Sequence, residues 1–332
     1  MKDLLKDKTI LVTGGTGSIG SQIVRTLMKY PIKNVIIFSR DEIKHFLIQN
    51  QINDERLIAI IGDIRNTNSI ERVFYDYSID IIYHAAAIKH VVVAEQFPFE
   101  CAATNISGTQ NVVDLALKYK IPRMITISTD KSTSPTNVMG ASKLIAEKIT
   151  TNANYTCVRF GNVANSRGSV IPVLLDNILN NRNIIVTDPD VTRFIIRIPD
   201  AINLVLKATK HARGGEIFIL KMKAFRLGDL IDVLLNEVVP TLNISSSCMK
   251  INYIGLTAGE KMHEDLISPT EKCHLYEIDN LYAVLKNEPV KLDQPLFKKI
   301  ELLTYSSDSV QLISKEEIKN LILEYLNLLK SV

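Results

Sequence analysis

Long apolar runs are missing from these 332 residues: no stretch reaches the ~18 consecutive apolar positions that a membrane span requires. Any membrane role would therefore pass through a partner. Cysteine is sparse as well. Cys101, Cys157, Cys248 and Cys273 are widely scattered, with no CxxC pair and no His at metal-ligand spacing. That argues against a zinc framework and reads as four reduced, mostly buried thiols. An excess of one charge is missing too, since 39 Lys and Arg face 36 Asp and Glu and leave only +3. This is short of the clustered basic footprint of a nucleic-acid binder. Met1 to Lys8 alternate charges with Leu and lead directly into a strand pattern, which leaves no room for a cleavable signal. The expectation is a cytoplasmic protein without a nucleic-acid, membrane or metal partner.

What is present is an alternation. With 46% hydrophobic and 23% charged residues the composition is that of a globular protein, and at roughly 100 to 200 residues per domain the length allows about two units. From Thr9 to Phe160 the short apolar runs ILVT, NVIIF, LIAII, DIIYHA, MITIS and YTCVRF alternate with longer helical patterns. Strand, helix, strand in succession means a parallel sheet covered on both faces. Phe99 to Lys120 reads as one covering helix, with Ala103, Ile106, Val113 and Leu117 at near-helical spacing and Pro122 limiting its end. Beyond Gly161 the order loosens: helices near 171–179, 201–210 and 227–239, the strands IIVTD and EIFIL, and a helical tail from Lys315 to Lys330. The expected architecture is α/β, a Rossmann-like doubly wound parallel sheet over residues 1–165 with a smaller, partly interleaved substrate domain over 166–332. No internal repeat is visible, and the serines 245–247 are too short a run to count as low complexity.

Glycine is scarce, 14 in all, yet Gly14, Gly15, Gly17 and Gly20 fall within seven residues directly after the first strand. Gly14, Gly17 and Gly20 are spaced three apart, so a tight turn brings a helix N-terminus and its free amides against a pyrophosphate. Thr16, Ser18 and Ile19 belong to the same dinucleotide-binding loop. An NAD site usually carries an acid at the tip of the second strand to accept from the ribose hydroxyls. Here NVIIF runs into Ser39 and Arg40, with Lys44 one turn further on. A guanidinium there binds a 2′-phosphate, so NADP is expected over NAD. The other reading has Arg40 stacked on adenine and Asp41 taking the ribose. Asp63, followed by Ile64, stands after the third strand where a carboxylate accepts from the adenine amino group. Ala85, Ala86 and Ala87 supply small residues for close approach to the nicotinamide ribose.

These residues resemble the extended short-chain dehydrogenase/reductase family: TGGTGSIG at the start, GDI at 62–64 and HAAA at 84–87. More narrowly, KH at 89–90, STDKSTSPTNVMGASK at 128–143, RFGNVANSRGSVIP at 159–172, TRF at 192–194 and GEKMHE at 259–264 resemble the UDP-N-acetylglucosamine 4,6-dehydratases of polysaccharide biosynthesis. The similarity covers roughly residues 8 to 270. Most of the wider family carries a Tyr four residues before a Lys, and here that pair is Met139 and Lys143. A thioether takes no proton from an alcohol. Two readings follow: a non-catalytic NADP-binding sensor, or the branch of the dehydratases that carries Met at this position and remains active. The intact Asp130 and Lys131 favour the second.

The resemblance implies oxidation of the sugar at carbon 4 by hydride transfer to NADP⁺, elimination of water across carbons 5 and 6, and return of the hydride to carbon 6. Elimination needs a base for the carbon 5 proton and an acid for the departing hydroxyl, and Lys131 and Asp130 at a strand end offer both. A lysine with an unperturbed pKa of ~10.4 is neutral only about once in 2,500 at pH 7, so Lys131 would need burial or a cationic neighbour, with Lys143 and Lys89 as candidates. Asp130 would have to arrive protonated. Thr129 is implied on the 4-hydroxyl, and Lys143 on the nicotinamide ribose. Lys89, Asn162, Arg167, Val170 and Arg193 resemble contacts to the UDP-sugar, Arg193 being the best phosphate partner, and Glu260 would accept from the uridine ribose. Arg159 is left between a binding and a structural role. Thr257 and Ala258 stand where the family usually has Arg and Pro, so Arg226 or Lys261 would have to supply a diphosphate contact. His263 lacks the second His of a zinc motif. A UDP-sugar substrate and a homo-oligomer are expected; a nucleotide-sugar 4-epimerase and a keto-sugar reductase are the competing enzymes.

Overall fold

The computed structural model describes residues 1–180, 182–242, 250–286, 297–302 and 305–330. Cys248 and the serines 245–247 lie outside the described residues. The first half follows the expected alternation: β1 (Thr9–Thr13), β2 (Asn34–Ser39), β3 (Leu57–Ile61), β4 (Ile81–His84), β5 (Arg123–Thr129) and β6 (Thr156–Phe160). Every residue of β1, β4 and β6 is buried, which is why these strands read as continuous apolar runs instead of alternating ones. The second half adds β7 (Asn162–Val163), β8 (Ile184–Val186), β9 (Thr192–Ile196), β10 (Ile217–Leu220), β11 (Lys223–Arg226), β12 (Ile251–Tyr253), β13 (Leu275–Ile278), β14 (Leu281–Val284) and β15 (Lys298–Lys299).

One ten-stranded sheet runs β15-β13-β14-β10-β6-β5-β4-β1-β2-β3. From β3 to β10 all pairings are parallel, and β14, β13 and β15 then add an antiparallel edge. The strand order 3-2-1-4-5-6 is that of the Rossmann-like doubly wound fold, and it reverses between β1 and β4. That crevice is where such sheets bind ligands. β10, β13, β14 and β15 come from beyond residue 165 yet complete the central sheet, and the main core joins Ile10 and Val12 of β1 to Phe218, Leu281 and Tyr305. A second core lies entirely within 164–326, where the helix Val170–Leu179 packs with Leu230, Val233 and the tail helix Lys315–Lys330 around Ile318 and Ile322.

The expected helix over 99–120 is present but not uniform. Pro98–Ala102 and Gly108–Lys118 are α-helical, and a π-turn, Ala103–Ser107, joins them. Such single-turn bulges mark functional sites, because the extra residue swings side chains out of the helical register. Here it turns Asn105 toward the loop after β4: its Oδ1 accepts from Ile88 N at 2.8 Å and its Nδ2 donates to Ile88 O at 2.9 Å. The helix expected near 227–239 likewise ends at Val233 and continues as a π-turn and a 3₁₀ turn.

Candidate active site

Beyond the C-terminal ends of the parallel strands opens a cavity of about 1120 Å³. All the residues expected to hold a dinucleotide line it: Gly14, Thr16, Gly17, Ser18, Ile19, Gly20, Ser39, Arg40, Lys44, Asp63, Ile64, Ala85, Ala86, Ala87 and Lys143. The glycines are needed for contact, not for charge. A Cβ on Gly20 would sit 2.2 Å from Gly14 O, and Gly14, at φ +66°, would press a Cβ to 2.7 Å from the Ala86 backbone. Gly17 precedes the helix Ser18–Leu27 without a side-chain cap, so the first amides of that helix face the cavity for an anion to accept. A cradle that any Cβ would fill, at a capless helix N-terminus, fits a dinucleotide pyrophosphate.

At the tip of β2, Ser39 Oγ joins Thr16 Oγ1 at 2.9 Å and His45 Nε2 at 2.8 Å. Arg40 is more than half exposed and its guanidinium stands 3.8 Å from Asp63. Asp41 is committed elsewhere, accepting from Lys44 N to cap the helix Glu42–Ile52 and pairing with Lys44 Nζ. Asp63 differs from expectation in one respect: both its oxygens already accept from Arg65. Burial would raise its pKa, but the Arg65 bonds outweigh that and hold it below the usual carboxylate range. On the other flank Lys143 Nζ donates to Ile127 O at 2.6 Å, and burial pulls its pKa down. His84 bridges Thr13 and Thr109 at 2.7 and 2.9 Å, and burial pushes its pKa down to about 3, so it is neutral.

The catalytic candidates gather where β5 ends in a 3₁₀ turn, Asp130–Ser132. Thr129 Oγ1 donates to Asp130 Oδ1 at 2.8 Å, and Lys131 Nζ donates to the same oxygen at 3.1 Å and to Asn162 Oδ1 at 3.3 Å. Thr129, Lys131, Met139 and Asn162 line the cavity, whereas Asp130 is fully buried behind them with its Oδ2 lacking a hydrogen-bond partner. The expected depression of the Lys131 pKa is not seen. Burial does act against the ammonium, but Asp130 and Glu264 outweigh it and hold the pKa above the ordinary value. Lys143 and Lys89 are not its charged neighbours; the cation facing it is Arg193. Lys131 is therefore an ammonium. Met139 is buried against Ala94 and Cys101.

The turn is anchored from below. Ser132 Oγ lies 2.6 Å from Thr129 O and 2.7 Å from Glu147 Oε1. Glu147 in turn meets Arg159, whose guanidinium also reaches both oxygens of Glu271 and the Leu266 carbonyl. Arg159 is 1% exposed and does not line the cavity, which assigns it a structural place. Ser132 falls within the 128–143 motif without a role of its own there, and Glu147 and Glu271 lie in no motif, because a Glu far from its partner in sequence carries no spacing signal. Glu264 was visible only as the last letter of GEKMHE.

Substrate-side expectations divide. Lys89, Asn162, Arg167 and Val170 line the cavity. Lys89 Nζ donates to Arg167 O at 2.7 Å, and Arg167 Nη2 donates to Thr16 O at 2.7 Å, so the loop before Val170 is strapped across the glycine loop. Arg193 and Glu260 do not line the cavity; they pair with each other at 3.0 Å, and Arg193 also donates to the carbonyls of Thr192 and Met262. Thr257, in place of the usual Arg, donates to Glu260 through its amide and its hydroxyl. Arg226 is occupied by Asp190 and Asp229, Lys261 donates to Thr133 O, and His263 meets Thr192 Oγ1 at 2.8 Å.

A Rossmann-like sheet with a capless glycine loop at its switch point and a Thr-Asp-Lys turn at the end of β5 belongs to the fold class shared by a solved dTDP-glucose 4,6-dehydratase and a solved UDP-glucuronic acid 4-epimerase. Within that class the chain belongs to the family of polysaccharide biosynthesis proteins, which it matches over residues 10–286. It is 41% identical to an uncharacterized membrane protein of Methanocaldococcus jannaschii, covering 98% of both chains. It is 35% identical to a UDP-glucose 4-epimerase of Rickettsia canadensis over 96% of both. Among solved structures, Pen from Bacillus thuringiensis superposes with a TM-score of 0.89 at 39% identity, covering 97% of this chain and 98% of that one. Despite the label of the archaeal relative, no helix among the described residues is long and apolar enough to cross a membrane.

Proposed function

We propose that the chain dehydrates UDP-N-acetylglucosamine across carbons 5 and 6 to a UDP-4-keto-6-deoxy sugar, with NADP as its cofactor. The observation that carries this reading is the Thr129–Asp130–Lys131 turn, which sets a cationic amine on the cavity wall at the end of β5 with a fully buried carboxyl behind it. A simple 4-epimerase has no use for such a pair, since it removes no proton from carbon 5. Residues 1–165 hold the cofactor and residues 166–332 most of the sugar nucleotide. The glycine loop and the N-terminus of the helix Ser18–Leu27 take the pyrophosphate, Arg40 takes the 2′-phosphate, Lys143 the nicotinamide ribose. When bound, the nicotinamide supplies the reversible oxidation that begins at carbon 4 and ends at carbon 6.

The protein's own groups do the rest. Thr129 Oγ1 positions the 4-hydroxyl; once carbon 4 is a ketone, the carbon 5 proton is acidified, and Lys131 as amine removes it while a proton passes to the departing 6-hydroxyl. Asp130 lies behind the cavity wall as the buried counter-ion of Lys131, where it accepts from Thr129 Oγ1 and Lys131 Nζ and orients both. Arg193 exchanges Glu260 for the diphosphate as the nucleotide seats. Incubating the protein with UDP-N-acetylglucosamine and NADP⁺ tests the reading: the product loses 18 Da and shows a new methyl doublet by NMR. The name of the rickettsial relative favours a second reading, 4-epimerisation. That reaction leaves the mass unchanged and inverts carbon 4, so one spectrum separates the two.

A further inference from the structure

Lys131 must be an amine to act, yet Asp130 and Glu264 hold it as an ammonium. The chain supplies a place for that proton. Glu264, from the far half of the sequence, is 4% exposed and puts Oε1 3.5 Å from Lys131 Nζ. Its position is fixed: its amide donates to Ser307 Oγ at 2.9 Å, its carbonyl accepts from Ser307 N at 2.9 Å, and Ser307 Oγ is itself bonded to Thr192 Oγ1 at 2.7 Å. A glutamate so buried and so stapled has no solvent-facing task.

We infer that Glu264 is the proton partner of Lys131: as the sugar nucleotide seats, the ammonium proton passes from Nζ to Oε1, leaving an amine toward carbon 5 and a neutral carboxyl behind it. This rests on the proposed elimination. One N–H bond breaks and one O–H bond forms, with no change in net charge; Nζ then takes the carbon 5 proton, passes a proton to the departing 6-hydroxyl, which leaves as water, and takes back the proton held by the carboxyl, so that ammonium and carboxylate are restored. The exclusion of water by the ligand drives the exchange, because a neutral pair loses less than an ion pair when the dielectric falls. The surrounding charges are mixed. Burial and Asp130 favour the neutral carboxyl and raise its pKa on balance, while Lys131, Arg193 at 4.0 Å and Lys261 oppose it. Glu260 offsets Arg193 from its other side, and His263 is turned to Thr192.

The test is Glu264→Gln, with Glu264→Asp beside it. In the wild type the pair retains one shared proton between its two titrations, so kcat is flat from about pH 6 to about pH 8; in Glu264→Gln the amine must come from solvent titration, and kcat rises about tenfold per pH unit over that range. At the low end the loss is about 10²-fold with KM for the sugar nucleotide nearly unchanged, and Glu264→Asp recovers part of it. A flat profile in Glu264→Gln, or a loss confined to KM, overturns the assignment. Titration of Lys131 by NMR of ¹³Cε-lysine protein needs no substrate: its pKa falls in Glu264→Gln if the two groups are coupled, and an unmoved pKa overturns the proposal even if UDP-N-acetylglucosamine proves not to be the substrate. Absence of water loss in the wild type would instead strike the proposed reaction alone.

Discussion

The two ends of the cavity are built from different materials. The glycine-loop end is made of main chain: Gly14, Gly17 and Gly20 bring amides and a helix terminus together, and side chains contribute mainly by being absent. The end proposed for the sugar, at Lys131, is backed by buried charge. Lys131, Asp130, Glu264, Arg193 and Glu260 meet from three separate segments, 130–131, 193 and 260–264, over the Arg159 platform. Main-chain sites tolerate variation in everything except space, whereas charged sites depend on every partner, because a buried ion that loses its counter-ion is left uncompensated.

The largest effect that sharpens this contrast should come from Lys131→Met. Turnover should fall by about 10³- to 10⁴-fold, and solvent deuterium should no longer enter carbon 5, while cofactor affinity stays within about twofold. Loss of cofactor binding in this variant would erase the distinction between the two ends. Next is Arg159→Met, which strands Glu147 and Glu271 in the core and should cost about 3 to 5 kcal/mol of stability by urea unfolding. The Arg159 guanidinium and the Ser268 amide hold Glu271, against its burial, below the usual carboxylate range. Its folded pKa thus lies under the unfolded one, so its stabilisation is present above the ordinary glutamate pKa and is lost as pH falls through the folded value. Acid unfolding of Arg159→Met should accordingly show a shallower dependence on pH than the wild type.

Arg40 tests the glycine-loop end, where single charges should matter less. It is half exposed and already near Asp63, so Arg40→Asp should weaken NADP by about 1 to 2 kcal/mol, measured by calorimetry, with NAD affected less. Equal loss for both cofactors would remove Arg40 from the 2′-phosphate.

Much of the glycine-loop end was legible beforehand because its information is contiguous: strand, three glycines at fixed spacing, helix, and Ala85–Ala87 after β4 all follow from local pattern. The parallel order from β1 to β6 was legible for the same reason. Where the reading fell short, the cause is long range. The lysine's electrostatics came out with the opposite sign because Asp130 beside it and Glu264, 133 positions on in sequence, together outweigh its burial. β9 and β11 pair antiparallel through residues with no turn signal between them, and the π-turn at Ala103–Ser107 keeps a helical apolar rhythm while shifting Asn105 onto Ile88. Ser132 and Arg159 fall in motifs, but their link through Glu147 and Glu271 has no local signature.

The smallest effect should be at Met139, where the chain departs most from the wider family. Its thioether is 4% exposed and shares a small cluster with Ala94 and Cys101, bordered by Ile88, Val91 and Val138. A side chain placed there for packing is replaceable by other apolar groups at modest cost, and a thioether moves no proton. Met139→Ala should lower the melting temperature, at about 2 kcal/mol, the low end for a buried methionine because the cluster borders the cavity. Turnover should drop by less than about tenfold, through looser seating of the sugar, with the shape of the pH profile unchanged. Restoring Tyr at this position forces a ring into a space filled by an unbranched chain, and overpacking should offset any benefit of a phenol. A large gain in rate for Met139→Tyr, together with a new ionisation in the profile, would show that the sugar end still waits for a phenolate and that Thr129, Lys131 and Glu264 do not replace it.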